Sequence, residues 1–161
     1  MPNINVKKIT DTAFIDRITD WMYSWWGKDE GYSREAVRVS MEHSLRENGL
    51  PQTFGLFSDG ELIGMYQFTY SDLFVRPDIY PWLANVYVDP RFRGRGYGRM
   101  LLSAVPESAL AAGIGELYLF TEIKGLYEKL GWRFMGELDS FLNPRMRRLY
   151  KLELKSRTIK A

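Results

Sequence analysis

Cysteine is absent from the chain and histidine occurs once, as His43. Without cysteine there is no disulfide, no thiolate metal site and no thiol nucleophile. One histidine is too few for a histidine-rich metal centre, and it leaves a Ser-His-Asp triad a single candidate with no motif around it. Between Glu42 and Ser44, in a helical stretch, His43 reads as a solvated surface side chain. Long apolar runs are missing too. No segment approaches the ~20 residues that span a bilayer, and Met1 to Thr10 lacks the apolar centre of a signal peptide. The expected setting is soluble and cytoplasmic, with no membrane partner. Nor is there an excess of one charge: 22 Lys and Arg stand against 20 Asp and Glu, for a formal net charge of +2. That balance argues against nucleic acid as a partner, while a pI of about 8.8 leaves room for an anionic ligand. Repeats, linkers and low-complexity stretches are absent, so 1–161 is expected to form a single domain.

What is present fits a globular chain: 161 residues, 45% hydrophobic and 15% aromatic. Ile4 to Ile9 reads as a strand. Asp11 or Thr12 can cap a helix carrying Phe14, Ile15, Ile18, Trp21, Met22, Trp25 and Trp26 at helical spacing. After a loop at Gly27 to Gly31, Ser33 is an N-cap candidate for a second helix ending near Asn48, with Glu35 in its first turn. "TFGLFSDGELIGMYQFTY" predicts two strands around the turn dipeptide Asp59-Gly60. Ser71 to Pro81 reads as a loop, and "WLANVYV" as a largely apolar strand suited to the middle of a sheet. A helix over 97–112 should be kinked or shortened by Pro106. "ELYLF" is a strand, "GLYEKLG" a short helix, "WRFMGEL" a strand. A loop holds Pro144, and "LYKLEL" is the last strand. The order is strand, two helices, three strands, helix, strand, helix, two strands: a mixed sheet with helices packed on it.

The stretch "VDPRFRGRGYGRMLL" concentrates four arginines and three glycines between a strand and a helix. Glycine lets backbone N–H groups approach a ligand closely, and a helix start leaves such groups unpaired at the positive end of the dipole. Such a loop suits phosphate. A P-loop would need Gly-Lys-Ser/Thr, but Gly98 is followed by Arg99 and Met100. The dinucleotide fingerprint would need a glycine where Arg99 stands, and a place after the first strand. Both fail. A basic surface turn is the plain alternative for an isolated Gly-x-Gly-x-Gly; the place of this one, between an apolar strand and an apolar helix, favours an anion site.

Arg93-Gly94-Arg95-Gly96-Tyr97-Gly98 resembles the Arg/Gln-x-x-Gly-x-Gly/Ala signature of the GNAT family of N-acetyltransferases, and "LYLFTEIKGLYEKLGW" resembles its fifth strand and following helix. The resemblance implies the α/β (α+β) GNAT fold: a mixed, mostly antiparallel central sheet of about six to seven strands flanked by about four helices. It implies acetyl-CoA (coenzyme A) as co-substrate and no metal. The backbone of Val86, Tyr87 and Val88 would pair with the pantetheine arm as an added strand would. The amides from Arg93 to Arg99 would hold the pyrophosphate, and the Val88 amide would polarise the thioester carbonyl. A deprotonated primary amine would attack directly, through a tetrahedral intermediate. Tyr127 matches the tyrosine that protonates the departing thiolate; read alone, it is a half-buried aromatic on an amphipathic helix. Where the family often has an asparagine after the fifth strand, this chain has Thr121, whose hydroxyl can take part of that role.

The acceptor side is less marked. Glu122 and Asp72 are candidates for the general base, and each also reads as a solvated loop charge. The family resemblance places the acceptor pocket against the first two helices and the loop after the third strand. Most of the tryptophan helix reads as core, but three indoles exceed one narrow stripe. Trp25 and Trp26 are therefore candidates to face the pocket, where an aromatic face holds a cation. Tyr70 and Asp72 join them; Tyr23, Tyr32 and Tyr80 are weaker candidates, and Asp78, like Asp72, could attract a positively charged amine. Arg145, Arg147, Arg148, Lys151 and Lys155 form either a solvated edge or a surface for an acidic acceptor. The expected activity is acetylation of a primary amine on a small molecule or peptide; the alternative is a catalytically silent acyl-CoA sensor. Whether the chain is a monomer or a homodimer stays open.

Overall fold

The computed structural model describes residues 1–138 and 148–154. Seven strands form one sheet in the order β1-β2-β3-β4-β5-β7-β6. They are β1 (Ile4–Ile9), β2 (Gln52–Ser58), β3 (Glu61–Thr69), β4 (Trp82–Val88), β5 (Glu116–Thr121), β6 (Arg133–Glu137) and β7 (Arg148–Glu153). The helices are α1 (Ile15–Met22), α2 (Arg34–Glu42), α3 (Tyr97–Ser103), α4 (Val105–Ala111) and α5 (Leu126–Lys129). The predicted strand order along the chain and the central place of β4 are both found. The predicted loop at Pro144 lies outside the described residues, as do Arg145, Arg147 and Lys155. The chain divides into two compact units, Met1–Phe68 with Ala84–Leu102 and Thr69–Leu83 with Ser103–Ala161.

In the first unit β1 pairs antiparallel with β2 and β2 with β3. The β2–β3 hairpin turns at Asp59 and Gly60, with φ of 47° and 83°. These left-handed values suit an Asp-Gly turn that follows the sheet twist. The core gathers Ile9 from β1, Ile15, Ile18, Trp21 and Met22 from α1, Val37 and Met41 from α2, and Phe57, Leu62 and Met65 from the hairpin. Fully burying each such side chain contributes roughly 1.5–3 kcal/mol, which outweighs the weak helix propensity of the β-branched and aromatic residues in α1.

Two helices differ from the sequence pattern. The tryptophan helix is three segments: a 3₁₀ turn at Thr12–Phe14 capped by Asp11, then α1, then a wide π-turn at Tyr23–Gly27. Helix α2 starts as predicted, with Ser33 Oγ accepting from Ala36 N at 3.0 Å. It stops at Glu42, not near Asn48. The cause is tertiary. The Ser44 carbonyl is taken by the buried Thr53 hydroxyl at 2.8 Å, which draws the chain off the helical path and towards β2.

In the second unit β5 pairs antiparallel with β7, and β7 with β6. Trp82 of β4 lies opposite Tyr118 of β5 in parallel pairing, and Tyr118 N donates to Pro81 O at 3.1 Å. Trp82 is fully buried with Leu73, Ile79, Leu138 and Leu149, and its indole N–H donates to Ile79 O at 2.8 Å. The helix predicted over 97–112 is broken at Ala104 into α3 and α4. Pro106 falls in the first turn of α4, where a missing N–H costs nothing. None of the helices described is long and apolar enough to cross a membrane.

Candidate active site

The end of β4 is pinned before the loop begins. Asp89 N donates to Ile63 O at 2.8 Å, and Asp89 Oδ1 accepts from Arg91 N at 2.9 Å, capping a short turn at Pro90–Phe92. Arg91 also reaches Asp89 Oδ2 at 3.0 Å and Glu61 at 3.2 Å. Burial pushes the Asp89 carboxyl up, but hydrogen bonds and charge from Arg91 outweigh it and hold the group below its ordinary range. The loop then passes through Gly94 and Gly96, at φ of 78° and 84°. A Cβ at either would meet nothing within 4 Å. Glycine is required there by backbone conformation, not by space. Met100 N donates to Gly96 O at 3.1 Å as α3 starts.

Within the same unit lies a groove of about 370 Å³. Its walls are Trp25, the β4 residues Val86, Tyr87 and Val88, then Phe92, Arg93, Gly94, Gly96, Tyr97 and Gly98. The structure thus brings together most of the predicted cofactor residues and one predicted acceptor residue. Arg93 folds back along the groove. Its Nε donates to Val88 O at 2.8 Å, and its guanidinium sits 5.0 Å from the Tyr87 ring centre. Arg95 and Arg99 are outside the groove lining; the Arg95 guanidinium lies over Phe92 at 5.7 Å.

The tryptophans part company because adjacent residues on a helical path point about 100° apart, and the path here ends in a π-turn. Lys28 N donates to Tyr23 O, five residues back, at 2.9 Å, so this turn holds an extra residue. Trp21 and Trp25 both reach the Tyr87 ring, at 5.3 and 5.5 Å. Trp21 is core, and Trp25 is 39% exposed and faces the groove. Trp26 does neither: it packs against the core and meets Tyr32 edge-on at 6.1 Å.

The other predicted residues belong to the second unit. Tyr127 on α5 is buried, edge-on to Trp132 at 6.0 Å and tilted against Tyr150 at 5.6 Å. Burial, with a smaller contribution from Tyr150, pushes its hydroxyl up to about 12. It therefore carries its proton throughout the physiological range. Thr121 ends β5, buried, with Oγ1 accepting from Ile123 N at 3.1 Å. Glu122, Tyr70 and Asp72 are exposed. Asp78 is ion-paired with Arg76 at 2.8 Å. Arg148 and Lys151 are engaged on the sheet. Arg148 Nε donates to the Tyr150 hydroxyl at 2.9 Å, and Lys151 pairs with Glu116 at 2.9 Å. That leaves them a poor surface for an acidic acceptor. Among the described residues no group of three or more His, Asp or Glu side chains could hold a metal ion.

The model of the Acetyltransferase (GNAT) family matches residues 15–132. This chain belongs to that family. It is an N-acetyltransferase, and the co-substrate of the family is acetyl-CoA. Among curated relatives, the spermine/spermidine N(1)-acetyltransferase of Bacillus subtilis (strain 168) is 27% identical over 157 residues, covering 85% of this chain and 92% of that protein. The structure of YncA, a putative acetyltransferase from Salmonella typhimurium with its cofactor acetyl-CoA, superposes with a TM-score of 0.72 at 18% identity, covering 99% of this chain and 98% of that one. The PaiA N-acetyltransferase of Thermoplasma acidophilum, in complex with coenzyme A, superposes with a TM-score of 0.64 at 16% identity, covering 94% and 99%.

Coenzyme A has an anionic pyrophosphate and an amide-rich pantetheine arm. The groove brings together the kinds of group that suit such a molecule: an arginine, glycine backbone and strand backbone. Two features escaped sequence reading. Phe92 lines the groove between arginines; an aromatic inside a charged loop was the available signal. Asn85 has φ of 53° inside β4, and nothing in an apolar run announces that.

Proposed function

We propose that this GNAT enzyme moves the acetyl group of acetyl-CoA to a primary amine on a small molecule or peptide, by direct attack. The observation that carries this reading is the groove of the first unit, where β4 backbone, Arg93 and the glycine loop meet. Val86, Tyr87 and Val88 hold the pantetheine arm by backbone pairing. The loop from Arg93 to Arg99 holds the pyrophosphate. The thioester supplies an activated acetyl group. As the amine nitrogen bonds to its carbonyl carbon, a tetrahedral intermediate forms and the Val88 amide stabilises the oxyanion. The carbon–sulfur bond then breaks, and Tyr127 gives its proton to the thiolate. Thr121 contacts the pantetheine through its hydroxyl. The amine's own proton leaves through Glu122 or Asp72.

Trp25 and Tyr70 each present an exposed aromatic face suited to a cationic amine, and Asp72 is the candidate acidic partner. Among acceptors we favour a flexible polyamine. Support comes from the Bacillus subtilis relative, a spermine/spermidine N(1)-acetyltransferase.

The test is thiol release from acetyl-CoA across polyamines, amino acids, aminoglycosides and short peptides. Saturable release with spermidine or spermine is expected. Release only with peptides or aminoglycosides would overturn the polyamine assignment. Tight acetyl-CoA binding with no release from any amine would point to a silent acyl-CoA sensor.

A further inference from the structure

A buried polar chain runs through the first unit. The Thr53 hydroxyl donates to Ser44 O at 2.8 Å. Its oxygen accepts from Gln67 Nε2 at 3.0 Å. Gln67 Oε1 accepts from Asn85 Nδ2 at 2.7 Å. Thr53 is fully buried and Gln67 is 2% exposed. The direction of the chain is forced. A carbonyl only accepts, so the single Thr53 proton goes to Ser44, and Thr53 must then accept from the Gln67 amine. That turns the Gln67 carbonyl to Asn85, which must present its own N–H.

The chain ends at an unusual backbone. Among the described residues, Asp59 and Asn85 are the non-glycine residues with positive φ. Asp59 sits in a hairpin turn that calls for it. Asn85 sits inside β4, one residue before the groove-lining stretch Val86–Val88. In a regular strand successive amides alternate in direction. A left-handed residue breaks that alternation and re-aims the amides that follow. Asparagine tolerates the conformation better than most residues, but tolerance does not select it. The short side chain is held at a definite place by the 2.7 Å bond to Gln67.

We propose that Gln67 is a positioning residue for acetyl transfer: through its bond to Asn85 it fixes the left-handed step in β4 and so aims the Val86–Val88 amides. Gln67 does not line the groove, so any effect on the reaction runs through Asn85. The inference rests on the reading that Val86–Val88 hold the pantetheine arm.

The test is a double-mutant cycle. Gln67→Met keeps the volume and removes the hydrogen bonds to Thr53 and Asn85, along with a longer one to the Met41 sulfur at 3.6 Å. Asn85→Gly keeps the left-handed conformation open without the side chain. In the wild-type background, Gln67→Met is expected to lower kcat/KM for acetyl-CoA tenfold to a hundredfold per folded enzyme, the scale of a small misplacement of reacting groups. KM for the amine should change less than twofold. In the Asn85→Gly background the same change should cost less than twofold, because the residue it acts through is gone. Asn85→Asp is a second variant that spares the buried glutamine. It sets an acceptor against the Gln67 acceptor, and should reproduce the loss while circular dichroism remains that of the wild type. Two outcomes overturn the proposal: Gln67→Met with wild-type kcat/KM per folded enzyme, or an equal loss in both backgrounds. The binding reading fails separately. Amide shifts of Val86, Tyr87 and Val88 on adding coenzyme A to the wild type report it without reference to Gln67.

Discussion

The Nε of Arg93 donates to the carbonyl oxygen of Val88 at 2.8 Å, tying the first arginine of the glycine loop to the last residue of β4. The bond spans five residues, so the turn at Pro90–Phe92 is closed from both sides: by Asp89 at its start and by Arg93 at its end. Arg93 thereby shapes the loop as well as charging it. Arg93→Ala should raise KM for acetyl-CoA about tenfold, on the scale of one charge-assisted hydrogen bond discounted for exposure. Arg93→Lys should recover only part, since an ammonium lacks the guanidinium fork. Steady-state kinetics at fixed amine concentration measures both. Full recovery by lysine would mean that charge alone matters.

Tyr127→Phe removes the proposed proton donor and nothing else from the aromatic cluster with Trp132 and Tyr150. Turnover should fall by roughly 10²–10⁴, the usual worth of a positioned general acid. Affinity for coenzyme A, measured by calorimetry, should stay within twofold. Unchanged turnover from pH 6 to pH 10 would remove Tyr127 from the mechanism.

The same hydroxyl makes a stability prediction. Its folded-state value, about 12, lies above the ordinary value near 10. The stability it contributes is complete below about pH 10 and is lost as pH rises towards 12. Thermal melts over that window should fall more steeply for the wild type than for Tyr127→Phe. Parallel melting curves would show that the hydroxyl ionises as freely in the fold as in the open chain.

Asp89 behaves in the opposite sense. Arg91 holds its folded-state value below the ordinary one, so its contribution is present above about pH 4 and lost as pH falls below that. Asp89→Asn should lower the melting temperature at pH 7 and flatten the acid limb below pH 4. A wild-type acid limb in the variant would assign that limb to other carboxylates.

Gly96 separates conformation from charge. With φ of 84° and open space around it, an alanine pays only for the left-handed backbone, roughly 1–2 kcal/mol. Gly96→Ala should weaken coenzyme A binding about tenfold, and Gly96→Asp further, because a carboxylate then faces the pyrophosphate. Titration with coenzyme A and with a pantetheine lacking phosphates distinguishes the two: the extra loss in Gly96→Asp should vanish with the uncharged arm. If that extra loss persists there, the loop does not hold phosphate.

Much of this was legible in the residues themselves. Asp59-Gly60 requires left-handed backbone and so marks a hairpin. Ser33 has the hydroxyl that a helix start needs. The alternation of arginine and glycine from Arg93 to Gly98 already carries the chemistry of an anion loop. These are local effects, decided by a few adjacent dihedrals and by the hydrogen-bonding capacity of single side chains. The family resemblance added the identity of the anion.

What the tertiary structure decided is everything that depends on partners distant along the chain. Helix α2 ends at Glu42 because Thr53, nine residues further on than Ser44, needs the Ser44 carbonyl. Trp25 faces the groove and Trp26 does not; adjacent helical residues point about 100° apart, but which of the two meets β4 depends on how the helix packs on the sheet. Asn85 looks like any polar residue in an apolar strand; only the fold shows its left-handed φ and the buried hydrogen bonds that lead from it through Gln67 and Thr53 to Ser44. Local sequence placed the arginines and glycines in the loop after β4. Long-range burial, which leaves no polar group without a partner at low cost, accompanies the two departures from local pattern, the end of α2 at Glu42 and the left-handed step at Asn85.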